Sequence, residues 1–301
     1  MDSFLREAQI TELSYCPLQQ DGRASLAIET LSQTGCFLVR SCVPNRLRRT
    51  VNASLLALFS LPQQEKLRYL ADKSRNALDS GFSPYGVARA LDTGIPNLLE
   101  TWDLGDPLNK WPSPLQEQYD CLETFEARLH DIALWSLDRI DDALGESRHL
   151  SAALRERPRG LHLIHYFPVS RYADRGARRQ SEHTDNTLIT LIPAPVPEDE
   201  GILVYNRGEG EWAQVQIPAD ACLVQCGRLL EAITLKRLQA CLHTIGTPRY
   251  GSATNVARLS TPFFASPAPE FCVPTEVGPE RRVAVSSLER DYFANIFRSQ
   301  V

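Results

Sequence analysis

No apolar run in this 301-residue chain approaches the roughly 20 residues that a membrane-spanning helix needs; stretches such as 55–59 and 188–196 fall well short. A basic excess is also missing. The 32 Lys+Arg stand against 37 Asp+Glu, a formal net charge of −5, so the electrostatic footprint of a nucleic-acid binder is absent and neither nucleic acid nor membrane is expected as a partner. The opening Met-Asp-Ser-Phe-Leu-Arg-Glu carries acids where a secretory leader carries lysines, and no apolar segment follows it, so a cytoplasmic location is expected. The eight cysteines include no C-x-x-C pair, which argues against a zinc knuckle or a disulfide framework and leaves most of them as small core residues. There is no repeat and no low-complexity tract, and nothing points to an obligate protein partner.

What is present is an ordinary globular composition, 43% hydrophobic and 23% charged, on a chain long enough for one substantial core. Residues 1–112 read as a mixed helix and strand region. Within it, 35–40 is a short apolar strand, 44–59 a helix opened by a proline, and 100–104 a strand among loops. In 113–159 the apolar residues Leu115, Tyr119, Leu122, Phe125, Leu129, Ile132, Trp135 and Ile140 recur every three or four positions, the stripe of one long helix that Gly145 ends.

From 160 to 266 the period becomes strand-like. The runs 161–168, 187–193, 202–205, 212–217, 222–226, 232–235, 242–245 and 256–264 are separated by Gly, Pro, Asp or Asn, and eight short strands at such spacing imply a jelly-roll enclosing a ligand cavity. The expected fold is therefore mainly β with flanking helices around a double-stranded β-helix, cupin-like core. The tail, 267–301, reads as proline-rich and then helical, with Leu288, Tyr292, Phe293, Ile296 and Phe297 on one face and Arg281 and Arg282 ahead of it, placed as a lid over one structural unit.

Among six histidines, His183 has an acid two positions on, Asp185, just ahead of the strand-like 187–193. Alternation along a strand would aim both side chains the same way. His243, 60 residues further on in another apolar run, is the candidate third ligand. Taken singly, His183 reads as a loop histidine and His243 as a core histidine. Together, two imidazoles and a carboxylate on one face of a metal, with the other face open, are what a non-haem Fe(II) oxygenase needs. Arg258 and Ser260 lie 15 and 17 residues beyond His243, inside an apolar strand run. They offer a guanidinium fork and a hydroxyl to a carboxylate deep in the cavity, although Arg258 could equally pair with a buried acid.

The order His183-x-Asp185, His243, Arg258-x-Ser260 resembles the Fe(II)- and 2-oxoglutarate-dependent dioxygenase superfamily in its isopenicillin N synthase-like branch. The resemblance covers nearly the whole chain: Leu58-Phe-Ser-Leu-Pro-Gln-Gln-Glu-Lys66, Gly81-Phe-Ser-Pro-Tyr-Gly86 and Leu163-Ile-His-Tyr-Phe-Pro168 match segments of that branch. Val224-Gln-Cys-Gly227 and the long interval from His243 to Arg258 are similar to the deacetoxycephalosporin C synthase type. That type carries two arginines where this chain has Leu163 and His165, so the resemblance does not extend to a penicillin substrate.

It implies a jelly-roll enzyme in which His183, Asp185 and His243 hold Fe(II), Arg258 and Ser260 anchor the distal carboxylate of 2-oxoglutarate, and O2 is consumed. A small-molecule substrate, secondary-metabolite or amino-acid-derived, would be hydroxylated, desaturated or modified in a ring, with release of succinate and CO2. Two alternatives accompany this reading: a 2-oxoglutarate-independent Fe(II) oxidase or cyclase of the isopenicillin N synthase type, and a non-catalytic jelly-roll ligand-binding protein.

Overall fold

The computed structural model describes residues 6–16, 24–72, 80–90, 93–104, 110–145, 150–154, 160–168, 178–196, 202–246, 256–268, 270–275 and 278–288. Its centre is a jelly roll of two facing sheets. The strands are β1 (Arg6–Glu7), β2 (Glu12–Ser14), β3 (Cys36–Arg40), β4 (Gly81–Ser83), β5 (Leu99–Asp103), β6 (His162–Tyr166), β7 (Gln180–His183) and β8 (Ile189–Pro193). They continue with β9 (Ile202–Asn206), β10 (Glu211–Val215), β11 (Cys222–Cys226), β12 (His243–Ile245), β13 (Arg258–Ser260), β14 (Phe263–Ala265), β15 (Cys272–Thr275) and β16 (Gly278–Ala284).

One layer runs β1-β10-β9-β12-β7. The other consists of two ladders, β14-β8-β11-β3-β2 and β13-β6-β5-β4. They are joined because Leu161, just before β6, bridges Phe263 of β14, and His162 N–H donates to Pro262 O. The expected strand over 256–264 is thus two strands in two ladders. The break falls at Thr261-Pro262, where proline has no N–H to give to a ladder.

Burial explains why these segments read as they do. β8 and β11 are buried at every position, so Ile-Thr-Leu-Ile-Pro and Cys-Leu-Val-Gln-Cys are near-continuous apolar runs covered on both sides. β10 has one face toward water and alternates accordingly. Between the layers lie Leu38, Ile164, Tyr166, Ile192, Val204, Leu223 and Ile245.

Outside the larger layer pack the helices α1 (Ala24–Gln33), α2 (Asn45–Phe59), α3 (Gln63–Lys66), α4 (Gln116–Leu144) and α5 (Leu150–Leu154), with α6 (Arg228–Ile233) following β11. The 29 residues of α4 carry the stripe Leu122, Phe125, Leu129, Ile132 and Ile140 onto Phe37, Leu191, Val224 and Phe263. Gly145 caps the helix at φ 69°, the left-handed region glycine enters without strain. Leu129 and Ile132 are fully buried, and truncating either to alanine should cost about 2–5 kcal/mol.

Several expectations are corrected. Residues 232–235, read as a strand, are the end of α6 and a turn in which Leu235 and Lys236 take positive φ. Gly227 lies so close to Thr187 that a Cβ would sit 2.1 Å from its carbonyl oxygen, and there the chain leaves β11 and turns into α6 with Leu229 and Leu230 inward. The tail holds the hairpin β15–β16 before a helical turn at 285–288. Of the expected lid face, Leu288 packs on the core and Arg282 is exposed, while 289–301 lie outside the described residues. Strand β4 had no clear signal in the sequence.

Candidate metal centre

His183 is the last residue of β7, and His243, the first of β12, lies directly opposite it in the antiparallel pair. Asp185 stands in the turn between β7 and β8, just ahead of the second strand as expected, so the turn and not alternation along one strand brings it beside His183. The turn is pinned by Arg228 N–H to Asp185 O at 2.9 Å and Gly227 N–H to Leu188 O at 2.9 Å. Two imidazole nitrogens and a carboxylate oxygen thereby come within 4.8 Å of one another, the one such group of three found among the described residues.

Both imidazoles are oriented by backbone. His183 Nδ1 donates to Ser181 O at 2.8 Å, and His243 Nδ1 donates to Cys241 O at 3.1 Å. In the neutral form each ring therefore keeps its Nε2 lone pair for the centre. His183 Nε2 lies 3.5 Å from Asp185 Oδ1, and the ring centroids of the two histidines are 4.2 Å apart.

Burial disfavours charge here, yet His243, His183 and the Thr190 hydroxyl outweigh it and hold the Asp185 carboxyl well below its usual range. Burial and the neighbouring His183 push His243 down to about 4, so it is neutral at pH 7. For His183, burial is more than offset by Asp185, which raises its pKa. An anionic oxygen and two imidazole nitrogens converging on one face suit a borderline divalent cation such as Fe(II), and the chemistry of this donor set fits the metal that the sequence implied.

Arg258 and Ser260 occupy β13 and are buried. They pair with Tyr166 and Ile164 of β6, both of which face the space between the layers. The Arg258 guanidinium carbon lies 5.4 Å from the centroid of the Tyr166 ring. Tyr166 Oη is 2.6 Å from Gln180 Oε1, and Gln180 Nε2 is 2.9 Å from His183 Nε2. A continuous line of side chains therefore runs from Arg258 to the histidine pair.

Gln180 was not legible in the sequence. Plain alternation sets residues 180 and 183 on opposite faces, but the β7–β12 ladder shifts register between His243 and Ile245, and this bulge lets the Gln180 amide reach His183. His162 and His165 sit on an interior strand between β13 and β5. His162 pairs with Asp103, and His165 Nδ1 is 2.9 Å from Glu100 Oε1, on the helix-facing side of the sheet.

This arrangement defines a class. Residues 160–267, the segment that carries all five candidate site residues, match the 2OG-Fe(II) oxygenase superfamily, the class of Fe(II)- and 2-oxoglutarate-dependent dioxygenases. Among curated relatives it is 23% identical over 209 residues to the 2-oxoglutarate-dependent dioxygenase eupC of Phoma sp., covering 62% of this chain and 66% of that protein. It is 25% identical over 252 residues to 2'-deoxymugineic-acid 2'-dioxygenase of Hordeum vulgare, covering 81% and 72%. To deacetoxycephalosporin C hydroxylase of Streptomyces clavuligerus it is 28% identical over 111 residues, 36% and 35% of the two chains. The chain thus spans about two thirds of the length of the first curated relatives it matches. Among solved structures, a 2OG-Fe(II) oxygenase family protein from Caulobacter crescentus has the same fold, with a TM-score of 0.78 at 22% identity over 96% of this chain and 99% of that one. No helix among the described residues is long and apolar enough to cross a membrane.

Proposed function

We propose that this chain oxidises a small organic molecule, by hydroxylation, desaturation or ring modification, with release of succinate and CO2. His183, Asp185 and His243 hold the iron, and Arg258 with Ser260 holds the distal carboxylate of 2-oxoglutarate. The observation that carries this reading is the convergence of the three ligand atoms in the same inter-sheet space that the β13 face of Arg258 and Ser260 lines.

Bound Fe(II) with 2-oxoglutarate and O2 supplies an oxidant able to take hydrogen from an unactivated carbon. The chain's own residues do the rest. Backbone carbonyls of Ser181 and Cys241 fix the imidazoles, and the buried guanidinium of Arg258 gives a carboxylate two parallel donors. The apolar wall of Ile192, Val204 and Leu223 keeps water from competing. The Hordeum vulgare relative is named for a small organic acid, 2'-deoxymugineic acid, which supports a small-molecule substrate here, secondary-metabolite or amino-acid-derived. Eight cysteines, all free thiols, suit a reducing, cytoplasmic setting. Succinate formed in step with 2-oxoglutarate consumption across a panel of such metabolites is the expected result; substrate oxidation without succinate would overturn it.

A further inference from the structure

We propose that Gln180 is a 2-oxoglutarate-binding residue, its amide held by Tyr166 so that the NH2 group donates to the keto-acid end of the co-substrate. This deepens the reading above and rests on it.

Elimination fixes the orientation of the amide. His183 Nδ1 gives its proton to Ser181 O, so in the metal-free protein the Nε2 of the neutral ring can only accept. The Gln180 atom 2.9 Å from that nitrogen must then be the NH2 group, and Oε1 is left to face Tyr166, whose hydroxyl donates to it at 2.6 Å. Tyr166 is 1% exposed and cannot swing away. With Oε1 committed, the NH2 lies beside the ligand atom of His183, and once a metal takes the Nε2 lone pair its protons are left for the co-substrate.

The placement also fits the length of the co-substrate. A dicarboxylate gripped by Arg258 must pass the Tyr166 ring, 5.4 Å from the guanidinium carbon, to reach the metal, and the next group along that line is the Gln180 amide. The β6 residue beside Tyr166 cannot take this part. His165 points to the other face of the sheet, bound to Glu100 and packed against Phe59 and Phe167.

The test is anaerobic titration of the Fe(II)-loaded protein with 2-oxoglutarate, read from the visible charge-transfer absorption of the Fe(II)–keto-acid chelate, beside a separate titration of the metal. Gln180→Leu should weaken 2-oxoglutarate binding by about tenfold, the worth of one charge-assisted hydrogen bond, with Fe(II) affinity and melting temperature unchanged. Gln180→Glu, which keeps the shape and places a negative charge against the carboxylate, should weaken it further and serves if the leucine variant folds poorly. Tyr166→Phe should cost less than Gln180→Leu, and adding it to Gln180→Leu should cost nothing more, because the hydroxyl acts through the amide.

Unaltered 2-oxoglutarate affinity in Gln180→Leu or Gln180→Glu, with the absorption present in the wild type, overturns this proposal alone. Full additivity of the two substitutions overturns the part given to Tyr166. Absence of the absorption from the wild type overturns the Fe(II) and 2-oxoglutarate reading and takes this proposal with it.

Discussion

Two clusters of histidine and carboxylate lie in different layers, one on the helix side of the β5–β6 ladder and one at the β7–β12 pair of the opposite layer, and they are built to opposite ends. On the helix side, Lys66 Nζ sits 2.8 Å from both oxygens of Glu100 and 3.3 Å from Phe59 O, so all three ammonium protons have acceptors. His165 takes a further position on Glu100 Oε1 at 2.9 Å. The carboxylate is neutralised and bonded by the protein itself. On the inner side, Asp185 faces His183 and His243, whose Nδ1 protons are spent on backbone carbonyls. The atoms left in the middle are acceptors, and a cation from outside is what would satisfy them. Similar residues make a strut in one place and a receptor in the other, and the difference is whether the chain supplies its own positive charge.

Removing a member of each cluster should therefore fail in different ways. The largest effect is expected at the inner one. His243→Ala should abolish both Fe(II) retention and turnover, while the metal-free protein stays folded, because the ring donates only to one carbonyl and packs only beside the other two members of the group. Iron content after anaerobic purification and a melting curve in chelator check both halves; full turnover in this variant would refute the assignment of the metal.

On the helix side, Lys66→Met leaves the buried Glu100 carboxylate without its ammonium partner and with only the bond to His165. It should cost about 3–5 kcal/mol in urea unfolding while iron per folded molecule stays the same. Adding Glu100→Gln should recover much of that loss. A Lys66→Met protein of wild-type stability that binds no iron would break the comparison.

The sequence shows these two clusters unequally. His183-x-Asp185 is a local spacing beside a strand run, and Arg258-x-Ser260 places a costly cation and its hydroxyl neighbour on one strand face, so both are readable from one dimension. Lys66, Glu100 and His165 are separated by 34 and 65 positions, and nothing in the flanking residues of any of them signals the other two. The same holds for the fold. α4 and the strands β8 and β11 announce themselves because burial imposes a period or a continuous run on their residues. The turn at Gly227, the break at Pro262 and the bulge that brings Gln180 to His183 depend on close approaches between distant segments, so periodicity does not report them.

A smaller effect on the inner side separates charge from shape. Arg258→Lys keeps the positive charge and loses the two-pronged geometry, a difference of roughly 1.5–3 kcal/mol for a charge-assisted bond, or about a ten- to hundredfold loss of 2-oxoglutarate affinity. Binding of the main substrate should change much less. The reverse pattern in calorimetric titrations would make Arg258 a substrate-binding residue and bring forward the reaction without 2-oxoglutarate.

The smallest expected effect is a pH dependence confined to the helix side. Burial alone would raise the pKa of Glu100, but hydrogen bonds from His165 and Lys66, with the Lys66 charge, outweigh it and bring the carboxyl below its usual range. A carboxyl with a folded-state pKa below its unfolded value, about 4.3 for glutamate, stabilises the fold at all pH above that unfolded value and loses the contribution as pH falls toward the folded value. The stability advantage of the metal-free wild type over Glu100→Gln, measured from urea midpoints, should therefore hold constant from pH 8 to about 5 and narrow below that. Because the comparison is a difference between two proteins that share every other carboxylate, Asp185 included, the inner cluster cancels from it. A gap that narrows with rising pH instead would mean that Glu100 is protonated in the fold and that Lys66 is not its counter-ion.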